Sequence, residues 1–143
     1  IIRDGRANVN SYLNVSFFSH LNFWWSNGNK SYKELVTEGY SPTELATLHW
    51  KNNLEETRMQ CNEYLTDEEY LEVKYEEFTK HPEEEFKRVA NFSNLKWGSE
   101  LKKTIRSTSF ENRNYKWKER LTKKQISEIN DIAGDLLKKL NYK

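Results

Sequence analysis

An arginine and a serine near the amino end of the chain have the residue types and spacing of a pair that binds a phosphate group. Arg3 follows two isoleucines, and Ser11 stands eight positions later. The guanidinium of an arginine is a planar fork of donors that suits phosphate oxygens, and a serine hydroxyl adds a neutral donor. We expect Arg3 at the end of a buried strand, a tight turn at Gly5 and a helix from Arg6. The amino end of such a helix also favours an anion.

The same short run has a simpler interpretation, because short motifs often occur by chance. It is equally consistent with an ordinary turn between a strand and a helix, in which Arg3 and Asp4 form an ion pair at the surface. Evidence from other parts of the chain is needed to choose between a phosphate site and an ordinary turn.

Three stretches of the chain resemble one enzyme family, in matching order and spacing. Residues 3–6 read Arg-Asp-Gly-Arg and resemble the 3′-phosphate-binding segment of sulfotransferases that use 3′-phosphoadenosine 5′-phosphosulfate (PAPS), where Arg-Asp-Pro-Arg is common. Residues 70–82, which include Tyr75 and Pro82, look like the family's strand-then-helix segment, usually Tyr-Glu-Asp-Leu followed by Asp-Pro. Trp117, followed by a lysine and a last helix, is similar to the Trp-Lys/Arg segment near the family's C-terminus. The resemblance covers nearly the whole chain.

This resemblance implies the roles of several residues in binding the nucleotide. Arg3 and Ser11 would hold its 3′-phosphate, and Tyr75 would lie near its adenine. Phe110 ends a Thr-Ser-Phe run that stands near the adenine in cytosolic sulfotransferases, so it is expected to contact the adenine as well.

The chain departs from the family at its second phosphate clamp. Counted back from Trp117, the positions of the family's Arg-Lys-Gly hold residues 110–112, which read Phe-Glu-Asn. Arg113, or Lys116 beside the tryptophan, is left to supply the positive charge. A solvated loop is an equally good interpretation of this segment.

The resemblance also indicates what lies outside the chain. Sulfotransferases begin with a loop that grips the 5′-phosphosulfate end, and no Gly-rich loop carrying Lys and Ser/Thr stands before Ile1. The family's catalytic His or Glu likewise lies upstream of the 3′-phosphate segment. We therefore expect residues 1–143 to be the C-terminal portion of a single sulfotransferase domain. The catalytic base would come from the missing amino-terminal part, and the chain alone would show little or no catalysis.

The implied function is transfer of a sulfuryl group from PAPS to a hydroxyl or amine of a small-molecule or glycan acceptor. This segment would bind the 3′-phosphate and adenine side of the nucleotide. The alternative, from a different class, is a non-catalytic helical interaction module. A relative of P-loop nucleotide kinases is weakened by the lack of a Walker-type loop.

Composition excludes several classes of protein and of site. The formal net charge of +1 lacks the basic excess of a nucleic-acid binder. No run of about 20 apolar residues exists, so we expect no membrane span. Cys61 is the only cysteine, which excludes an internal disulfide and fits a reducing compartment. A cytoplasmic location is expected if the protein is bacterial. The histidines are scattered without metal-ligand spacing, so no metal is expected; they are His20, His49 and His81.

The elements that must position these residues are mostly helical. Apolar spacing predicts a helix over residues 6 to about 22, with Phe17 on its apolar face. Capping boxes at Ser41 and Thr122 predict a helix from Pro42 to about Tyr64 and a last helix. Two further helices are expected over residues 82–92 and 99–106, and strands over residues 1–3 and 71–75. For the tryptophans we favour core packing over an acceptor site; those weighed are Trp24, Trp25 and Trp50.

These elements define the expected fold class. About five helices and two short strands cannot make a self-sufficient sheet. We therefore expect an α/β fold in which this segment, mainly helical, contributes part of a P-loop-like parallel sheet flanked by helices.

Overall fold

The computed structural model describes residues 1–142, and nearly all of its regular structure is helical. Within these residues it has eight α-helices and one 3₁₀ helix. They are α1 (Gly5–Tyr12), the 3₁₀ helix (Ser16–His20), α2 (Tyr32–Thr37), α3 (Pro42–Tyr64), α4 (Tyr75–Lys80), α5 (Pro82–Phe92), α6 (Ser99–Ser107), α7 (Lys116–Arg120) and α8 (Lys123–Lys139). The predicted helices that correspond to α3, α5, α6 and α8 are confirmed. The pattern does not predict α2, α4 and α7, because helices of five or six residues are too short to show periodicity.

The chain forms two compact units, which are described separately. The first unit consists of Ile1–Arg3 and Arg58–Asn114, and the second of Asp4–Thr57 and the chain from Tyr115 onward. No helix within residues 1–142 is both long and apolar enough to cross a membrane.

In the second unit, a buried ion pair fixes the start of α1. Asp4 caps the helix by accepting the backbone N–H of Arg6 at 2.9 Å. The same carboxylate accepts Nε and Nη2 of Arg6 at 3.0 and 2.8 Å. The Arg6 guanidinium lies 4.3 Å from the ring centroid of Trp117, which is itself buried. This stacking attaches α1 to α7, which begins one residue before Trp117.

The predicted helix over residues 6–22 is wrong beyond Tyr12. The Asn14 side chain donates to the Asn10 carbonyl at 2.7 Å and takes the acceptor that a continuing helix would use. Val15 is then extended, and the chain resumes as the 3₁₀ helix. The change of register buries the residue after Phe17 and leaves Phe17 itself 56% exposed, so its predicted place on an apolar face is also wrong.

An aromatic cluster around His49 forms part of the core of the second unit. The His49 ring lies 5.4 Å from that of Tyr12, 6.0 Å from Phe18 and 5.5 Å from Phe23. Phe18 and Phe23 are fully or almost fully buried. Burial lowers the pKa of the His49 imidazole, so the neutral ring is the favoured form. His49 therefore packs against the aromatic rings of this cluster.

Trp50 packs directly on the first residue of α1. A Cβ added to Gly5 would lie 2.6–2.8 Å from three carbons of the Trp50 ring. The glycine is therefore required for close packing, and it begins a helix instead of forming the predicted turn. Trp50 is 7% exposed, which confirms its predicted place in the core.

Both predicted capping boxes are confirmed. The Ser41 N–H donates to Glu44 Oε2 at 2.6 Å, and the Glu44 N–H donates to Ser41 Oγ at 3.0 Å. The Ser41 hydroxyl also donates to Glu128 at 3.0 Å, which links the start of α3 to α8. Thr122 and Gln125 make the matching pair of bonds at the start of α8. Apolar residues of α8 and the leucine that follows it are buried; they are Ile129, Ala133, Leu136, Leu137 and Leu140.

In the first unit, the strands predicted over residues 1–3 and 71–75 are reduced to a single parallel β-bridge. The Ile2 N–H donates to the Val73 carbonyl and the Tyr75 N–H donates to the Ile2 carbonyl, both at 2.8 Å. The pairing has the predicted parallel direction, but it ends at once because α4 begins at Tyr75. Residues 1–142 form no β-sheet, so the expected sheet is not observed within them.

The remainder of the first unit packs around three phenylalanines. Phe78 of α4 lies 4.8 Å from Phe86 of α5, and Phe110 meets these rings at 5.5 and 5.8 Å. An ion pair lies elsewhere in this unit, where Arg58 binds both oxygens of Glu72 at 2.7 Å. The hydrogen bonds from Arg58 lower the pKa of the Glu72 carboxyl.

The contact between Gly5 and Trp50 makes a direct prediction about packing. Gly5→Ala should destabilise the protein by about 1–3 kcal/mol, because the added methyl overlaps a buried ring that has little room to move. Gly134→Ala in α8 is the matched control. No atom lies within 4 Å of its added Cβ, so it should stabilise by about 0.5–1 kcal/mol through helix propensity alone. Urea denaturation measures both; equal effects of the two substitutions would contradict the packing argument.

Burial of His49 predicts a pH dependence of stability. Its pKa is lower in the folded than in the unfolded state, so the unfolded chain takes up this proton first as the pH falls. Well above a pH of about 6.5, this group should not affect the free energy of unfolding. At lower pH, the free energy of unfolding should decrease. His49→Phe keeps an aromatic ring and should remove the part of the pH dependence of unfolding free energy that comes from this imidazole. Urea denaturation of both proteins between pH 5 and pH 8, about one and a half units either side of the ordinary pKa, tests this prediction. If the free energy of unfolding varies with pH equally in both proteins, His49 is not the origin of the variation.

Candidate functional site

The candidate site of the first unit is built around Arg3, which is held on two sides. Its guanidinium lies 4.4 Å from the ring centroid of Tyr75. Its Nε donates to Oδ1 of Asn114 at 2.7 Å. The contact with the ring and the hydrogen bond together restrict the orientation of the guanidinium. Arg3 is half-buried, so the fork stands at the surface in a defined orientation.

Tyr75 reaches this position through the parallel bridge. Its backbone N–H is bound to the carbonyl of Ile2, the residue before Arg3, and it is the first residue of α4. The Tyr75 hydroxyl donates to the carbonyl of Glu111 at 3.0 Å and accepts the backbone N–H of Arg113 at 3.4 Å. One side chain therefore supports Arg3 with its ring and the loop before α7 with its hydroxyl.

Asn114 connects this loop back to α4. Its Nδ2 donates to the carboxylate of Glu76, while its Oδ1 accepts from Arg3. The backbone N–H of Asn114 donates to Oδ1 of Asn112 at 3.0 Å. Both atoms of the Asn114 amide are thus bound, each by a partner of the required kind.

Arg113 lies beside the site but is engaged with an acid. Its Nε donates to Glu111 Oε2 at 2.8 Å, and both side chains are more than half exposed. The structure therefore brings Arg113 next to Tyr75 through its backbone, while its side chain is paired with a carboxylate within the loop.

Phe110 occupies a different environment from the other site residues of the first unit. Its ring packs against Phe78 and Phe86 in the aromatic cluster, and it is half-buried. The described contacts of Arg3 are with Tyr75 and Asn114 and do not include the Phe110 ring.

Ser11 lies in the second unit, on the last turn of α1, and its side chain is exposed. An exposed hydroxyl on a short helix is accessible to a ligand.

The amino end of α1 is not open to an anion, contrary to the sequence-based expectation. The Asp4 carboxylate binds the backbone N–H of Arg6, and the Asp4 carbonyl accepts the N–H groups of Ala7 and Asn8 at 3.0 and 3.1 Å. These donors are already satisfied, and a second negative charge beside the buried carboxylate would be repelled. The predicted surface pair of Arg3 with Asp4 is also wrong, since Asp4 is buried and pairs with Arg6.

Two residues of the site, Asn114 and Glu76, carry no signal in the sequence. Asparagine and glutamate are common at surfaces, and the two are 38 positions apart. Only the position of the loop just before Trp117 could have drawn attention to Asn114. As for metals, residues 1–142 contain no group of three or more His, Cys, Asp or Glu side chains placed to hold an ion.

Comparison with known proteins identifies the family. No curated protein and no solved structure matches the chain significantly. A model of the sulfotransferase family matches residues 1–99, more than two thirds of the chain, and this stretch includes Arg3, Ser11 and Tyr75. The family predicted from the sequence is thereby confirmed, and the protein belongs to the sulfotransferase family.

Proposed function

We propose that this protein binds PAPS and transfers its sulfuryl group to a hydroxyl or amine of a small-molecule or glycan acceptor. In this proposal the described chain holds the 3′-phosphate and adenine side of the nucleotide. The single observation that carries it is the fixed guanidinium of Arg3, stacked on Tyr75 at the end of a parallel bridge in a chain of this family.

The chemistry of Arg3 and its surroundings fits a phosphate ligand. Two parallel hydrogen bonds between a guanidinium and a phosphate need a defined orientation of the guanidinium, and the contacts with Tyr75 and Asn114 restrict that orientation here. The Nε bond goes to a neutral amide, so this bond orients the fork without compensating its charge. A half-buried position also reduces screening by water, which strengthens attraction to an anion.

The other proposed ligands differ in how much supports them. Tyr75 is proposed to lie near the adenine; its ring lies beside Arg3, the residue proposed to bind the phosphate, and this contact supports the proposal. Phe110 and Ser11 are proposed on the resemblance alone, as is a contribution of Arg113 to the phosphate. Arg113 would have to exchange its bond to Glu111 for one to the ligand.

Sulfuryl transfer breaks the bond between sulfur and the 5′-phosphate oxygen of the donor and forms a new bond from the acceptor oxygen or nitrogen to sulfur. The acceptor loses a proton to a base, and we assign that base to no residue of this chain. Arg3 and the residues around it would bind and orient the donor, and so place its sulfur in line with the acceptor.

Removal of the Arg3 side chain tests the proposed phosphate site. In the full-length protein, Arg3→Ala should weaken binding of 3′,5′-diphosphoadenosine by about 2–3 kcal/mol, the value of a charge-assisted hydrogen bond at a partly desolvated site. Arg3→Lys should recover only part of the loss, because lysine keeps the charge but lacks the fork. Calorimetry measures these affinities. Unchanged affinity in Arg3→Ala, or no nucleotide binding by the wild-type protein, would exclude the proposal in favour of an interaction module.

Ser11 is predicted to make a smaller contribution. Ser11→Ala should weaken binding of 3′,5′-diphosphoadenosine by about 0.5–1.5 kcal/mol, as expected for a neutral donor. The loss should nearly vanish with adenosine 5′-phosphate, which lacks the 3′-phosphate. Ser127→Ala, at an exposed position of α8, is the matched control and should change neither affinity. Equal losses with the two nucleotides would assign Ser11 to the fold instead of the phosphate.

A further inference from the structure

We propose that Asn114, oriented by Glu76, is a positioning residue that sets the guanidinium of Arg3 for the phosphate. This inference rests on the proposed function, because it concerns how the Arg3 site works. The observation behind it is the chain of hydrogen bonds from the Glu76 carboxylate, through the Asn114 amide, to Arg3 Nε.

The two partners of the Asn114 amide, Glu76 and Arg3, fix which way the amide faces. Glu76 offers only acceptor oxygens, and Arg3 Nε offers only a donor. If the amide were reversed, its nitrogen would face the Nε–H and its oxygen would face the carboxylate. Both contacts would then be repulsive. Glu76 therefore selects the orientation in which Oδ1 accepts from Arg3.

The backbone around Asn114 is held by the same part of the fold. Tyr75, which precedes Glu76 in α4, binds the loop at the Glu111 carbonyl and at the Arg113 N–H through its hydroxyl. The residues that fix Arg3 thus come from the first turn of α4 and from a loop tied to that turn. Such a site holds its arginine before the ligand arrives.

An amide suits this position better than a carboxylate would. An aspartate at position 114 would accept the same Nε–H, but it would pair with the Arg3 charge and repel Glu76. The observed asparagine instead orients the fork through a neutral group and keeps its second bond to Glu76. Ordering a flexible side chain in advance improves affinity because less entropy is lost on binding.

The first test changes Asn114 and Glu76 in turn and measures the affinity for the nucleotide. Asn114→Ala should weaken binding of 3′,5′-diphosphoadenosine by roughly 3- to 10-fold, the cost of ordering one flexible side chain. Glu76→Gln should have a smaller effect in the same direction, since a glutamine still offers an acceptor but no longer excludes the reversed amide. Neither should change binding of adenosine 5′-phosphate. Asn91→Ala, at an exposed position of the first unit, is the control and should have no effect.

The second test separates positioning from general support of the fold. Alanine has no side-chain donor, so in an Arg3→Ala background Asn114→Ala should cost no further affinity. A merely structural role would give the same loss in both backgrounds, and that result would overturn the inference. If Arg3→Ala weakens binding while Asn114→Ala does not, the inference fails and the proposed function stands. If Arg3→Ala has no effect, the proposed function itself fails.

A third measurement needs no nucleotide. The Nε–H resonance of Arg3, identified by its loss in Arg3→Lys, should exchange slowly with water in the wild-type protein because Asn114 accepts it. Exchange should become faster in Asn114→Ala and stay slow in Asn91→Ala. An exchange rate that Asn114→Ala leaves unchanged would overturn the inference, whether or not the protein binds nucleotide.

Discussion

The candidate site depends on two backbone hydrogen bonds at Ile2. Its N–H donates to Val73 and its carbonyl accepts from Tyr75, both at 2.8 Å, and Ile2 itself is 6% exposed. Because these bonds are shielded from water, they hold two distant parts of the sequence in one register. Arg3 directly follows Ile2, so the register brings its guanidinium to the Tyr75 ring. The contacts of Tyr75 with the loop, and of Asn114 with Arg3, depend on that placement.

Two arginines three positions apart are held in opposite ways, and the difference separates structure from proposed function. Arg6 binds both oxygens of Asp4, stacks on Trp117 and is buried, so its charge is compensated inside the protein. Arg3 also stacks on an aromatic ring, but its Nε donates to a neutral amide and it stays half-buried. A buried pair of the first kind stabilises the start of α1 and has little to offer a ligand. An arginine of the second kind is oriented by a ring and a neutral amide, and neither of these two groups carries a negative charge.

The parts of the fold that sequence predicted are those determined by neighbouring residues. Pro42 and the two capping boxes set the start of long helices through contacts three positions apart, so the pattern alone locates them. The family could be predicted because Arg3 and Tyr75 belong to motifs. The break after Tyr12 could not, because it depends on an Asn14 side chain competing for a carbonyl. Asn114 could not either, since its role depends on partners that only the folded chain brings near.

The loop in which a second phosphate clamp is expected from the sequence is also the loop that orients Arg3. Where basic residues are expected, residues 110–112 read Phe-Glu-Asn, and the structure places Phe110 in an aromatic cluster and pairs Glu111 with Arg113. Under the proposed function, Arg3 is already oriented, whereas Arg113 would first have to exchange its bond to Glu111 for one to the phosphate. A site with several cations tolerates loose geometry, because long-range attraction does not depend on angle. A site that relies on one guanidinium depends on two aligned hydrogen bonds, and alignment is what Asn114 and Tyr75 provide.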